Sequence, residues 1–315
     1  MKQKNVCKDL LFGVAVGDAL GLPFKGVDRE KGHFRRNPIT DMMGYGTYNQ
    51  PPGTFSDESS LTFCLAESLV EGLDLNKLAK KFLDWANNGY WTAYGDRFDI
   101  VNSVSYSIER LEAGIEPTLA GKNGLPHNDA SALMRILPLV VCIKDMPIEE
   151  RYEKIKQVAS LTNRHHYSFI TCFFYLEFAR LLLTQSDAKE IYKTLQTSFK
   201  ENLHLWCVES LDLKQFSNIL NDDIYSWFYY MNQTKGYIRY TLEVCIACLL
   251  HTNSYEEAVL KAVNMDAYSD TTGSVVGGLA GLLYGFDSIP KSWVNQLARK
   301  EDIEELARQL GEKYL

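Results

Sequence analysis

The stretch Gly53-Thr54-Phe55-Ser56-Asp57-Glu58-Ser59-Ser60 joins a loop that contains two prolines to an apolar helical pattern. Ser56 stands where an N-cap is expected, and Asp57 and Glu58 fall in the first helical turn. Apolar residues then recur at three-to-four spacing, which predicts a helix with one buried face. Acids in a first turn stabilise a helix through its dipole, so this segment alone does not require a functional role.

Helical patterns of the same kind fill most of the remaining chain, and no convincing alternation of apolar and polar residues competes with them. They predict helices over residues 5–20, 57–72, 76–88, 98–113, 129–145, 148–161, 165–184, 187–199, 234–251, 255–263, 271–285 and 290–314. The predicted fold class is therefore all-α. Because no composition shift, internal repeat or low-complexity tract marks a boundary, we expect residues 1–315 to form a single domain.

The composition, with 46% hydrophobic residues and a formal net charge of -7, is ordinary for a soluble globular protein. The negative charge argues against a broad nucleic-acid or membrane surface, but not against a local phosphate pocket, so the expected partner is small. The chain has seven cysteines and neither a signal-peptide pattern nor a long apolar run, which favours the cytoplasm. Cys245 and Cys248 form a C-x-x-C pair in an apolar helix, where buried core thiols are expected.

A second acidic helix start is Ser269-Asp270-Thr271-Thr272-Gly273. The helix that follows contains Gly273, Gly277 and Gly281, although each interior glycine costs roughly 1 kcal/mol relative to alanine. Glycines spaced by four share one helix face, so this pattern predicts that a neighbouring helix or a ligand approaches closely.

The two acidic helix starts together suggest one shared site. Ser56, Asp57 and Glu58 come from the first start, and Asp270 and Thr271 come from the second. Carboxylates and hydroxyls are the donors that Mg²⁺ prefers. Caps without further function remain the alternative interpretation.

The middle of the chain adds polar segments. The loop that ends in Asn128-Asp129-Ala130-Ser131-Ala132 leads into an apolar run, and free N–H groups at such a start can bind phosphate. Arg135 within that apolar run is expected to pair with a carboxylate. His165 and His166 would point about 100° apart on a helix, so at most one would face a pocket, and a solvated or capping role is the alternative.

Taken in order, five segments resemble the ADP-ribosylglycohydrolase family, the relatives of the enzyme that removes ADP-ribose from dinitrogen reductase. They are Gly13-Val14-Ala15-Val16-Gly17-Asp18-Ala19-Leu20-Gly21, the stretch from Gly53 to Ser60, Met134-Arg135-Ile136-Leu137-Pro138-Leu139, Leu161-Thr162 with His165, and Ser269-Asp270-Thr271-Thr272-Gly273. The resemblance implies a compact, orthogonal multi-helix fold with a two-magnesium site. Water would cleave the bond between C1″ of a distal ribose and its acceptor, while the metals orient the ribose hydroxyls and stabilise charge.

The resemblance also implies roles for individual residues. The metal-binding positions are Ser56, Asp57, Glu58, Asp270 and Thr271. Of these, Asp57, Glu58 and Asp270 would be the catalytic acids that hold metal or activate water.

The substrate-binding positions implied by the resemblance lie in the middle of the chain. The diphosphate loop falls on Asn128, Asp129 and Ser131, and a histidine-containing segment falls on His165. The loop is poorer in glycine than the family pattern, and Asn163 replaces one histidine of the second segment.

Three further departures touch the implied metal site. Glu58 stands where the family has aspartate, Tyr268 replaces the first aspartate of the later motif, and Lys25 follows Pro23-Phe24 where the family has glutamate. Lysine for glutamate adds two positive charges and tyrosine for aspartate adds one, against the four that two Mg²⁺ ions carry. We therefore hypothesise that the Lys25 ammonium and the missing carboxylate at Tyr268 together make at least one magnesium unnecessary, leaving one or none.

Two placements of Lys25 are open. An ammonium beside Asp57 or Glu58 would be paired within the site. Alternatively, Lys25 points into solvent from the long loop between Lys25 and Gly53, which is of the length that often covers a functional pocket.

Three functions follow from these observations. The first is hydrolysis of an ADP-ribosyl N- or O-glycosidic linkage. The second is a catalytically weak or inactive protein that binds ADP-ribose or a nucleotide, or serves in an interaction. The third is a hydrolase with a shifted substrate, in which Tyr268 stacks on a base or ribose and Lys25 lies on the substrate side.

Overall fold

The computed structural model describes residues 5–27, 38–124, 128–202, 214–220, 224, 236–265 and 267–315. Within these ranges the regular secondary structure is helical, with isolated β-bridges and no strand. This confirms the predicted all-α class. None of the helices in these ranges is long and apolar enough to cross a membrane.

The first half of the chain contributes α1 (Val6–Gly21), α2 (Asp57–Val70), α3 (Leu75–Asn88), α4 (Asn102–Glu112), α5 (Pro117–Ala120), α6 (Leu139–Ile143) and α7 (Ile148–Ala159). The second half contributes α8 (His166–Leu182), α9 (Ala188–Glu201), α10 (Ser217–Leu220), α11 (Ile238–Leu250), α12 (Tyr255–Val263), α13 (Ser269–Tyr284), α14 (Lys291–Gln296) and α15 (Lys300–Tyr314). Short 3-10 turns occupy Leu22–Phe24, Gly46–Tyr48, Leu133–Arg135 and Phe286–Ser288.

Helices α1 and α13 form the centre of the fold and run antiparallel in close contact. A Cβ atom on Gly17 would lie 2.0 Å from the carbonyl oxygen of Gly273, and one on Gly277 would lie 2.2 Å from that of Gly13. Side chains cannot fit between these backbones, so glycine is required on both helices. The close helix approach predicted from the glycine spacing is confirmed.

This pairing places the end of α1 beside the start of α13. The Ser269 hydroxyl donates to the carbonyl of Gly21 at 2.7 Å. Helix α2 packs against α1, α13 and α15, and α12 covers α13 from another side. The two acidic helix starts therefore lie at the same end of the central helix pair.

Two predicted helices are interrupted. Residues 129–145 form a 3-10 turn and the short helix α6, because Pro138 lacks an N–H donor and disfavours a helical residue before it. Residues 290–314 divide into α14 and α15, and Arg299 between them adopts a left-handed conformation with φ 54°. There the N–H of Ala298 donates to the carbonyl of Gly53 at 3.0 Å, which ties the break to the loop before α2.

Arg135 is fully buried but does not pair with a carboxylate among the described residues. Its guanidinium donates to the carbonyl of Val158 at 3.1 Å and to the Thr162 hydroxyl at 2.8 Å, and lies 5.0 Å from the ring centre of Phe82. Burial lowers its pKa to about 10. The expected ion pair was wrong, because the carbonyl end of α7 supplies the negative partial charge instead.

Cys245 and Cys248 are completely buried within α11. Both thiols are free, and burial raises the pKa of each, to about 12 for Cys248. These features confirm the prediction of core thiols. Cys207 lies outside the described residues.

Candidate active site

The starts of α2 and α13 meet at a buried cluster of carboxylates. Asp57, Glu58 and Asp270 are each at most 1% exposed. The Thr271 hydroxyl donates to Glu58 Oε1 at 2.6 Å and so links the two helix starts directly. The structure thus brings together acids that are more than two hundred residues apart in sequence.

Asp18 of α1 fixes the first turn of α2. Its Oδ2 accepts hydrogen bonds from the N–H groups of Ser56 and Ser59, both at 3.0 Å, and Ser59 adds its hydroxyl at 2.6 Å. Ser56 occupies the N-cap position, but its hydroxyl contacts Asp18 and Glu58 instead of capping the helix. The cap therefore comes from another helix.

Asp18 is a site residue that was not predicted from the sequence. The sequence feature that could have identified it is an acidic residue inside the otherwise apolar pattern of α1. A carboxylate buried there needs hydrogen-bond donors from other parts of the chain. Burial and the nearby Glu58 raise the pKa of Asp18 to about 7, although the hydrogen bonds from Ser59 and Ser56 act in the opposite direction.

Lys25 lies within the carboxylate cluster. Its Nζ forms an ion pair with Asp99, lies 2.7 Å from Asp270 Oδ2 and is 3.8 Å from Glu58 Oε1. The Lys25 side chain is only 12% exposed. The alternative that Lys25 points into solvent was therefore wrong.

The backbone around Lys25 is held on two sides. The Thr47 hydroxyl donates to the carbonyl of Lys25 at 2.7 Å, and the N–H of Gly26 donates to the carbonyl of Ala267 at 2.6 Å. A Cβ atom on Gly46 would lie 1.9 Å from the carbonyl oxygen of Pro23, so the two segments are in direct contact. Lys25 is thus anchored to both the Gly46–Tyr48 turn and the residue before Tyr268.

Asp99 is a further acid that the sequence analysis missed. It lies in the irregular segment before α4, pairs with Lys25 and is hydrogen-bonded to the hydroxyl of Tyr48. Burial and Asp99 raise the pKa of Tyr48, which keeps this phenol protonated. A single aspartate in an irregular segment has no spacing that could have revealed it.

The cluster has the chemistry and the room for a metal ion. Carboxylate oxygens of Asp57, Glu58 and Asp99 all lie within 4.8 Å of one another. Both oxygens of Asp57 are buried and accept no hydrogen bond from the described residues. A cavity of about 10 Å³, enough for about one water-sized particle, is lined by Asp57 and Asp99 among others. This donor set fits a hard divalent cation.

The charges in the cluster are not balanced by the protein alone. Burial, followed by the Glu58 charge, raises the pKa of Asp57 and of Asp270 well above the ordinary value. Burial also acts to raise the pKa of Glu58, but Lys25 and three hydrogen bonds outweigh it and lower the pKa. Burial alone would lower the pKa of Lys25, yet the surrounding carboxylates raise it. The ammonium stays charged, and the excess negative charge requires protons or another cation.

The residues expected to bind a diphosphate form a hydrogen-bonded network. Asp129 Oδ1 accepts from the Ser103 hydroxyl at 2.6 Å, the Ser131 N–H at 3.2 Å and the Asn163 amide at 3.1 Å. The Ser131 hydroxyl also donates to Asn163 Oδ1 at 2.6 Å. Asn163, which departs from the family pattern, is therefore a structural member of this network.

Asn128 and His165 lie at the edges of this network. Asn128 Oδ1 accepts from the Ser168 hydroxyl at 2.6 Å, which ties the segment to α8. His165 is the N-cap of α8, since its Nδ1 accepts from the N–H of Tyr167 at 3.2 Å. The rings of His165 and His166 stack at 4.3 Å because His165 precedes the helix. Because α8 begins at His166, the separation of about 100° considered for two helical residues does not apply, and His165 has the capping role named as the alternative.

Tyr268 stands between the carboxylate cluster and this network. The residue is 41% exposed, and a Cβ atom on Gly236 would lie 3.0 Å from its ring. The neighbouring Tyr237 forms an antiparallel bridge with Asp129. An exposed aromatic ring thus lies two residues before Asp270, the one acid of α13.

A separate cavity of about 810 Å³ lies at the opposite end of α1 and α13. Its lining includes Lys8, Asp9, Tyr284 and Phe286, and none of the residues predicted to form the site. Size alone would favour this cavity, but the buried, unpartnered oxygens of Asp57 favour the carboxylate cluster.

Known proteins of similar sequence point to one family. The family model for ADP-ribosylglycohydrolase matches residues 2–315. The chain is 26% identical to the ADP-ribosylarginine hydrolase Tri1 of Serratia proteamaculans (strain 568), over 96% of this chain and 78% of the relative. It is 24% identical to the ADP-ribosyl-(dinitrogen reductase) glycohydrolase of Rhodospirillum rubrum, over 95% of this chain and 92% of the relative.

A solved structure has the same fold. It is described as an ADP-ribosylglycohydrolase-related protein complex, and it superposes with a TM-score of 0.80 at 24% identity, covering 99% of both chains. The family match supports hydrolysis of ADP-ribosyl linkages in general, and the structure contains a buried acidic cluster that could bind metal. The chain belongs to the ADP-ribosylglycohydrolase family.

Proposed function

We propose that this protein hydrolyses an ADP-ribosyl N- or O-glycosidic linkage, with Mg²⁺ as the metal and water as the nucleophile at the distal ribose. The observation that carries the proposal is Asp57. Its two buried oxygens lack donors and face other carboxylates across a cavity of about 10 Å³. A buried carboxylate without a partner is costly, and a bound cation removes that cost.

Residues of the two acidic helix starts would bind the metal and accept a proton. The two helix starts offer Ser56, Asp57, Glu58, Asp270 and Thr271 as hard donors for a metal, and Asp57 and Glu58 lie close to the further acid Asp99. Bound Mg²⁺ would act as a Lewis acid and as a template for the ribose hydroxyls. Neither oxygen of Asp57 accepts a hydrogen bond from the described residues, so one oxygen would be available to the metal while the other accepts a proton from the attacking water.

Substrate binding is assigned to the hydrogen-bonded network around Asp129 and to Tyr268. A carboxylate repels a diphosphate, and Asp129 is already engaged by Ser103 and Asn163. Asp129 therefore shapes the loop, while Asn128, Ser131 and His165 flank the bound diphosphate and ribose. Tyr268 offers its exposed ring to the base or ribose.

The test is release of ADP-ribose from ADP-ribosyl-arginine and ADP-ribosyl-serine peptides, with Mg²⁺ and after chelation with EDTA. Turnover that requires metal and falls at least a hundredfold in Asp57→Asn supports the proposal. Asp145→Asn is the matched control, since Asp145 is an exposed carboxylate that pairs with Lys144. Absence of turnover on both peptides, or turnover unaffected by Asp57→Asn, contradicts the proposal.

Binding of ADP-ribose without turnover is the second candidate function. The observation that favours it is the Lys25 ammonium, which lies 2.7 Å from Asp270 where a cation would otherwise be held. Calorimetry with ADP-ribose separates the two candidates. Affinity for ADP-ribose without hydrolysis of either peptide supports the binding function.

A further inference from the structure

We infer that this site is a mixed centre with one divalent cation held by Asp57, Glu58 and Asp99, and with the Lys25 ammonium as its second, built-in cation. The inference deepens the proposed function and rests on it for the choice of a divalent metal. It assigns a ligand role to Asp99, which comes from neither acidic helix start.

The position of Lys25 supports its role as the second cation of the centre. Its Nζ contacts Asp270 of α13 and Asp99 of the segment before α4, and lies 3.8 Å from Glu58 of α2. One ammonium thus joins acids from three separate parts of the chain. The positive charge of Lys25 therefore lies between the two acidic helix starts.

The position of Asp57 supports a single divalent cation in the cluster. Lys25 pairs with Asp99 and Asp270, but no donor among the described residues reaches either oxygen of Asp57. The cavity of about 10 Å³ touches both Asp57 and Asp99. A cation placed there would contact the carboxylate that Lys25 leaves unpaired.

Charge balance limits the number of metals. If a bound cation keeps Asp57, Glu58, Asp99 and Asp270 all ionised, these four carboxylates surround one ammonium and leave three negative charges in excess. One divalent cation reduces the excess to a single negative charge. A second divalent cation would make the centre positive and would lie against Lys25, where like charges repel strongly in a buried site.

The backbone contacts of Lys25 make the ammonium a fixed part of the centre. Thr47 bonds the Lys25 carbonyl, and Gly26 bonds Ala267 directly before the helix start that carries Asp270. These contacts hold the backbone of Lys25 beside the cluster, and the ion pairs with Asp99 and Asp270 hold its Nζ there. Lys25 therefore remains in the site when the metal binds.

The test is Mn²⁺ stoichiometry of the full chain, measured by equilibrium dialysis and by electron paramagnetic resonance. We expect one Mn²⁺ per wild-type chain with the spectrum of an isolated ion. Lys25→Glu should bind a second Mn²⁺ and show the broadened spectrum of two coupled ions. Lys8→Gln is the matched control, because Lys8 pairs with Glu304 at the other end of α1, and it should still bind one.

A third variant, Asp99→Asn, should weaken binding of the single Mn²⁺ at least tenfold while its circular dichroism spectrum remains unchanged. Two coupled ions in the wild type, no bound ion, or unchanged affinity in Asp99→Asn would overturn the inference. Because stoichiometry is read on the wild type, the test does not depend on every variant folding. One bound Mn²⁺ without peptide hydrolysis would overturn the proposed function and leave this inference standing.

Discussion

The carboxylate of Asp18 accepts hydrogen bonds from both the N–H and the hydroxyl of Ser59, at 3.0 and 2.6 Å, across 41 residues of sequence. A buried acid of one helix thereby caps the first turn of another. That first turn carries Asp57 and Glu58, so the geometry of the carboxylate cluster depends on this contact.

Asp18→Ala should lower the free energy of unfolding by about 3 kcal/mol, because buried donors of Ser56 and Ser59 lose their acceptor. Asp18→Asn should cost less, since its amide keeps one acceptor oxygen. Ser59→Ala, which removes a single hydroxyl donor, should cost only about 1 kcal/mol. Urea denaturation measures all three. Equal stability of Asp18→Ala and the wild type would contradict the capping role.

Gly17→Ala should destabilise the protein by about 3 kcal/mol or more, because its new methyl would meet the Gly273 carbonyl at 2.0 Å. Gly311→Ala in α15 is the matched control. Its Cβ would have only Cys7 Sγ nearby, at 4.0 Å, so the change should stabilise the helix by about 0.5–1 kcal/mol. Thermal or urea denaturation gives both values, and similar effects at the two positions would argue against the close packing of α1 and α13.

Tyr268→Ala should weaken ADP-ribose binding about tenfold, since stacking on a base is worth about 1–3 kcal/mol. Tyr268→Phe keeps the ring and should bind as the wild type does. Calorimetry with ADP-ribose compares the two variants. If Tyr268→Phe loses as much affinity as Tyr268→Ala, the hydroxyl and not the ring makes the contact.

Glu243 should make stability depend on pH. Burial raises its pKa from 4.5 to about 7, although Arg239 and Asn218 act in the opposite direction. The folded chain therefore binds a proton more tightly than the unfolded chain, and the free energy of unfolding falls as pH rises through this window. Ionising Glu243 costs on the order of 3 kcal/mol, which Glu243→Gln avoids.

Urea denaturation at about pH 4.5 and about pH 8 tests this effect. The stability of Glu243→Gln relative to the wild type should increase between the two values. Glu301→Gln changes an exposed glutamate, 84% accessible at its side chain, and should show no such increase. A pH-independent difference for Glu243→Gln would contradict the prediction.

The sequence identified the helical class and the two acidic starts because these depend on local periodicity and capping chemistry. The break in the predicted helix over residues 129–145 could not be predicted from the apolar pattern. There Pro138 and the hydrogen bonds accepted by Asp129 favour a turn over a continuous helix. The sequence also did not indicate that Asp99 belongs to the site, and it did not decide whether Lys25 lies beside the carboxylates or in solvent. Both positions depend on contacts between distant segments, which spacing along a chain does not encode.

The pairing of α1 with α13 has a consequence for synthesis of the chain. Gly21 and Ser269, which touch through a hydrogen bond, are separated by 248 residues. During translation α1 emerges early, yet its glycine face lacks a partner until α13 has been made. Contacts of such long sequence separation form slowly and late. The carboxylate cluster is therefore completed only near the end of synthesis, and a nascent chain without α13 has no assembled site to expose to the cell.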